Sequence, residues 1–189
     1  MVEPRNFNDD LNNADTPKIR NAWLKIFKKK FGDEIEVDYK DELCIQKGLG
    51  TDVTIKPKSG RRYSVELKTR NNNCLNKDYI MEIVSHTYDK PEKPWNHLYS
   101  KDGWIYTTTA EYIFHGTLNE NRDDFLEVIL YSLIPFKTEK WKSEFEKYEI
   151  LWLPTLFNNG NFQLTINKLI PKEIIKQDTL EFWEWKNEN

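Results

Sequence analysis

GTDVTIKPKSGRRYSVELKTR, residues 50–70, alternates polar and apolar side chains on both sides of a turn. In TDVTIK, Val53 and Ile55 share one side. In RRYSVELKT, Tyr63, Val65 and Leu67 share one face, and Glu66 and Lys68 share the other. A period of two marks half-buried strands. PKSG between them is turn chemistry, with Pro57 restricted and Gly60 permissive. With the turn centred near Ser59, residue i faces residue 118 − i, so Asp52 falls opposite Glu66. Lys68 lies two residues on, on the same face as Glu66. Two carboxylates and an ammonium thus converge at one end of a β-hairpin. Hard divalent cations take oxygen ligands, so this is a candidate metal site with a positive charge beside it.

Before the hairpin, residues 1–15 form a polar lead-in rich in Asn and Asp. A helix is expected next, with Thr16 as N-cap, Pro17 at the first helical position and Gly32 as the stop. Ile19, Trp23, Ile26 and Phe27 recur at helical spacing and face a core. The remaining surface carries Lys18, Arg20, Lys25, Lys28, Lys29 and Lys30, with no acid among them. A charge run is usually a solvated face. In a chain of formal net charge −3, however, a purely cationic helix is also a candidate for phosphate contact. EIEVDYK (34–40) reads as a short strand, and DELCIQKGLG (41–50) as a turn or short helix whose Gly48 and Gly50 free the backbone before Asp52.

After the hairpin, NNNCLNK (71–77) reads as a polar loop. YIMEIVSHTYD (79–89) reads as a helix, because Ile80, Ile83 and Val84 stand at helical spacing. KPEKPWNHLYSKDG (90–103) reads as loop. GWIYTTTAEYIFHGTL (103–118) reads as a strand after a bend, with EYIFHGTL its surer part. FLEVILYSLIPF (125–136) is an apolar strand stopped by Pro135, and TEKWKSEFEKYE (138–149) a helix with a Trp141–Phe145 pair. ILWLPTLF and FQLTINKLI flank NNGN as a hairpin, with Asn159-Gly160 supplying the turn. PKEIIKQ is a last short helix. The tail, with Phe182, Trp183 and Trp185, packs on the body or meets a partner. The order predicts an α/β domain around a central mixed sheet flanked by helices. No linker is long enough to divide the chain.

Composition bounds the function. The 189 residues are 31% charged and 14% aromatic, enough for a real core and too acidic overall for a basic nucleic-acid coat. No run reaches membrane-span length, and no signal-like stretch follows the N-terminus. Cys44 and Cys74 lack metal-site spacing, so a reducing cytoplasm is the expected compartment. His86, His97 and His115 are scattered and read as surface or packing residues.

Asp52, Glu66 and Lys68, preceded by a basic helix, resemble the PD-(D/E)XK nuclease superfamily. Gly50-Thr51-Asp52 stands where that pattern has Pro-Asp, and Glu66-Leu67-Lys68 stands as E-X-K. The resemblance implies a restriction endonuclease-like core over 16–118, with 119–189 as a C-terminal elaboration of a single domain, 16–189. It also implies Mg2+, for which Mn2+ substitutes, held by Asp52, Glu66 and the carbonyl of Leu67, with Lys68 acting on the attacking water or the developing charge. The substrate would be DNA, cut internally and contacted by Lys25, Lys28, Lys29, Arg61, Arg62, Arg70 and Lys77 through charge rather than sequence. Cutting both strands would suit a homodimer. GWIYTTTAEYIF is similar to a stretch in small stand-alone phage and mobile-element members, which would act in a host cytoplasm.

Two departures are visible. The helix acid that many members add as a metal ligand is missing between Pro17 and Phe31, leaving Asp15, Glu34, Glu42 and Glu82 as substitutes. YIMEIVSHTY also lacks the glutamine of the exonuclease branches. No ATP-binding glycine loop occurs, so no helicase is fused. The competing expectations are an inactive nucleic-acid binder of the same fold and a protein-interaction or accessory module.

Overall fold

A computed structural model of the chain describes residues 5–6, 16–40, 51–75, 77–88, 97–156 and 162–188. Its first helix, α1 (Pro17–Phe31), begins and ends where its capping residues require. The Thr16 hydroxyl accepts a hydrogen bond from the Ile19 N–H at 3.3 Å. Gly32 turns out of the helix at φ 90° while its N–H donates to the Lys28 carbonyl at 2.8 Å. Ile19, Ala22, Trp23, Ile26 and Phe27 are buried on one stripe.

That stripe packs on a six-stranded mixed sheet. Its strands are β2 (Ile35–Tyr39), β3 (Val53–Pro57), β4 (Tyr63–Arg70), β7 (Tyr112–Leu118), β8 (Phe125–Ser132) and β11 (Phe182–Lys186), in the order β11-β8-β7-β4-β3-β2. β4 and β7 run parallel, and every other neighbouring pair is antiparallel. Val53, Ile55, Val65, Tyr112, Phe114, Val128 and Leu130 join α1 in one core, with Trp183 and Trp185 packed against it. The rings of Trp23 and Phe125 lie 4.2 Å apart between centroids, and those of Phe27 and Phe114 5.4 Å apart. The α/β class with a central mixed sheet is as the sequence indicates.

The chain forms two compact units. The first unit collects residues 1–15, 78–107 and 137–172, and the second collects 16–77, 108–136 and 173–189. β8 and β11, both beyond residue 118, thus belong to the same sheet as the hairpin, whereas 78–107 does not. Strand pairing joins stretches that are far apart along the chain.

The first unit has its own sheet, in the order β1-β9-β10-β5-β6. Its strands are β1 (Arg5–Asn6), β5 (Tyr79–Tyr88), β6 (His97–Asp102), β9 (Ile150–Leu156) and β10 (Phe162–Ile170). Here two expectations are overturned. YIMEIVSHTY is a strand, not a helix, paired with β10 on one side and β6 on the other. The spacing of Ile80, Ile83 and Val84 is helical, but ladder bonds on both edges make the segment a strand, with a register shift against β10 at Ile83. Within 90–103, residues 97–102 are likewise strand rather than loop.

Elsewhere the differences are smaller. GWIYTTTAEYIFHGTL opens with a four-residue helix, α2 (Trp104–Thr107), before β7. The segment after Thr138 is α3 (Glu139–Glu144) continued by a 3-10 turn, and α4 (Lys172–Asp178) is the short helix after Pro171. The Trp-rich tail is itself a sheet strand. The lead-in outside 5–6, the 41–50 segment and the NNGN turn lie outside the described residues.

Gly116 on β7 lies under the aromatic core. A Cβ there would meet the Phe125 ring and come within 2.7 Å of Trp23 Cη2. Gly116→Ala is therefore expected to destabilise the protein by about 1–3 kcal/mol through overpacking. Urea unfolding of the two proteins, compared by midpoint at equal slope, measures this.

Candidate active site

The register of the β3–β4 hairpin builds the site. Val53 pairs with Val65, Thr54 with Ser64 and Ile55 with Tyr63, each pair obeying the 118 − i relation. Continuing one step sets Asp52 beside Glu66. The Asp52 N–H donates to the Val65 carbonyl at 3.1 Å. Its carboxylate Oδ2 accepts from the Leu67 N–H at 2.7 Å, ending the ladder with a side chain. β4 is an inner strand, between β3 and β7, and Glu66 is only 6% exposed. A buried carboxylate requires partners. Lys68 Nζ donates to Glu66 Oε1 at 2.6 Å, and the Thr108 hydroxyl lies 3.3 Å from Oε2. The charge-assisted bond neutralises Glu66 where water is scarce.

From Arg70, on the face of β4 that carries Glu66 and Lys68, a row of polar side chains crosses the sheet, buried at Thr117 and Glu127. In register, Arg70 meets Thr117, Thr117 meets Glu127, and Glu127 meets Lys186. Arg70 Nη2 lies 3.5 Å from Thr117 Oγ1, and Lys186 Nζ lies 3.6 Å from Glu127 Oε2. One row nearer the hairpin, Lys68 is opposite His115. His115 is buried, with Nδ1 3.2 Å from the Tyr131 hydroxyl. Burial, then the charges of Arg70 and Lys68, hold its imidazole well below the usual value of 6.5, so it is neutral.

The remaining expected site residues are not gathered here. α1 packs on the opposite face of the sheet, so Lys25, Lys28 and Lys29 stand across the sheet from Glu66. Lys25 pairs with Asp124 at 3.5 Å, and Lys29 lies 5.0 Å from the Trp185 ring centroid. Arg61 and Arg62 precede β4, roughly 15 Å or more along the strand from Lys68 at about 3.3 Å per residue. Arg61 lies over the Tyr63 ring at 4.7 Å, bonds the Tyr112 hydroxyl, and is 3.9 Å from Glu181. The expected basic residues are therefore dispersed: Arg70 follows Lys68 on the same face of β4, and its guanidinium reaches the Lys77 carbonyl at 3.4 Å.

Two hard oxygen donors on paired strands, with the Leu67 carbonyl between Glu66 and Lys68, suit Mg2+ or Mn2+ in donor chemistry. Among the described residues, no group of three or more His, Cys, Asp or Glu side chains gathers. Glu34 sits at the turn end of the hairpin, bound to Lys58 at 2.7 Å, and Glu82 is on β5 in the other unit. Asp15 and Glu42 lie outside the described residues. Nothing in the sequence singles out Thr108 or Tyr131, and His115, expected as a surface or packing residue, is packed against Tyr131. Pairing of β7 with β4 is what sets His115 opposite Lys68.

No protein-family model, curated protein or solved structure matches the chain.

His115 supplies a pH prediction. Its folded-state value is depressed, so below 6.5 the unfolded chain takes up a proton that the folded chain refuses. That contribution to stability is intact above 6.5 and is lost as pH falls, by up to about 1.4 kcal/mol per pH unit. Urea unfolding from pH 7.5 to 5 should show wild type losing stability faster than His115→Asn, with the two slopes equal above pH 7.5. Equal slopes across the range would mean that His115 takes up its proton as readily in the fold as in the unfolded chain.

Proposed function

We propose that this protein is a Mg2+- or Mn2+-dependent deoxyribonuclease that hydrolyses phosphodiester bonds within DNA. One observation carries the reading: an inner strand holds Glu66 and Lys68 2.6 Å apart at the end of a hairpin whose register sets Asp52 alongside. The order α1, β2, β3, β4 and then β7 parallel to β4 also supports the likeness to a restriction endonuclease-like core. The crossover between β4 and β7 departs from it, being built of strands where a helix is expected.

The Asp52 and Glu66 carboxylates and the Leu67 carbonyl would hold the cation. When bound, it would polarise a phosphoryl oxygen and lower the pKa of a coordinated water. Lys68 has two tasks. It orients Glu66 through Oε1, and it sets a positive charge beside the phosphorus as negative charge develops there. Arg70 and Lys77 bind flanking phosphates, which makes affinity fall with salt and depend little on sequence. The ligand set from the described residues is short, so bound water and substrate oxygens would complete it.

The bonds that occupy Glu66 and Asp52 also favour a second reading, a nucleic-acid binder that keeps the fold without cleaving. Incubation of the pure protein with supercoiled, linear, single-stranded and branched DNA, with Mg2+ or Mn2+, separates the two. Cutting by wild type is expected to fall at least about a hundredfold in Asp52→Asn and in Lys68→Ala, while DNA binding persists. Cutting that survives both substitutions would refute the site, and binding without cutting under every metal condition would establish the second reading.

A further inference from the structure

The link from α2 to β7 is Thr108-Thr109-Ala110-Glu111, and the chain re-enters the second unit at Thr108. Thr108 is buried, and its hydroxyl oxygen accepts from the Ala110 N–H at 3.1 Å. The same oxygen lies 3.3 Å from Glu66 Oε2. An ionised carboxylate only accepts, so the single hydroxyl proton points at Glu66. Lys68 donates to the other oxygen at 2.6 Å. Donors on both oxygens hold the carboxylate in one orientation. The next residue serves the other strand of the hairpin: Thr109 Oγ1 lies 2.9 Å from Thr51 Oγ1, one position before Asp52. Two residues further on, the Glu111 N–H reaches both the carbonyl and the hydroxyl of Ser64 on β4 at 3.1 Å. One short segment is thus stitched to both strands that carry the acids.

We infer that Thr108 and Thr109 are positioning residues that set the orientation and separation of the Glu66 and Asp52 carboxylates for a divalent cation. This inference rests on the metal-centre reading above. Thr108 acts directly on a carboxylate oxygen, and Thr109 acts through the backbone next to Asp52. Groups that orient ligands in this way typically govern metal affinity ten- to a hundredfold. A threonine present only for packing would tolerate valine, which keeps the shape and removes the hydroxyl.

The test is Mn2+ binding by calorimetry on the full chain, with metal-free thermal melting as the control for folding. Thr108→Val is expected to weaken Mn2+ binding about ten- to a hundredfold, and Thr108→Ser to restore it. Thr109→Val alters an exposed side chain. It should leave metal-free melting unchanged and weaken Mn2+ binding in the same direction. A folded Thr108→Val, or failing that a folded Thr109→Val, that binds Mn2+ as wild type does overturns the inference and leaves the metal centre standing. Wild-type protein that takes up no Mn2+ overturns both.

Discussion

The pairing of β3 with β4 constrains the core and the candidate site together. Val53, Ile55 and Val65 reach α1 only in the observed register. A slip of one residue would turn Glu66 toward Trp23 and Phe27 and turn Val65 away from them. The same register brings Asp52 beside Glu66. Burial of the apolar face therefore fixes which residues of the hairpin stand on the other face. The register sets the backbone positions of Asp52 and Glu66, and side-chain bonds from Lys68 and Thr108 then hold the Glu66 carboxylate.

The parallel pairing of β4 with β7 adds the second constraint. It places β4 inside the sheet, and Glu66 on its polar face is buried. Charges there persist only when paired and hydrogen-bonded. The observed arrangement meets that condition: Lys68 on Glu66, Thr108 on the other oxygen, and Lys186 on Glu127. His115 obeys the same condition by remaining neutral between Lys68, Arg70 and Tyr131. Away from this face, cations are matched locally, with Lys56 near Glu36, Lys58 near Glu34 and Lys30 near Glu181. The exposed pairs on Lys56 and Lys58 add little stability, typically below about 1 kcal/mol each. They do dilute the basic surface that a count of lysines suggests.

What was legible in the sequence was local. Thr16, Pro17 and Gly32 bound a helix because capping involves residues within one turn. Alternation in 53–57 and 63–70, with a compact turn between, is enough to set a hairpin register, and Asp52, Glu66 and Lys68 follow from it. What was not legible depended on distant partners. Ile80, Ile83 and Val84 stand at helical spacing, and only the ladders that β6 and β10 supply on both edges make the segment a strand. The lysines of α1 read as neighbours of the acidic site, because nothing in a linear charge pattern says which face of the sheet a helix covers.

The sequence by itself determined the capped basic helix, the alternating hairpin with its register and the α/β class, since each needs only short-range periodicity and turn chemistry. Tertiary structure alone decided that β4 lies inside the sheet, that Thr108 and His115 sit among the charged groups, and that the helix cations face away. Those outcomes rest on strand pairs separated by tens of residues. Their free energy comes from burying one continuous core, which no single segment encodes.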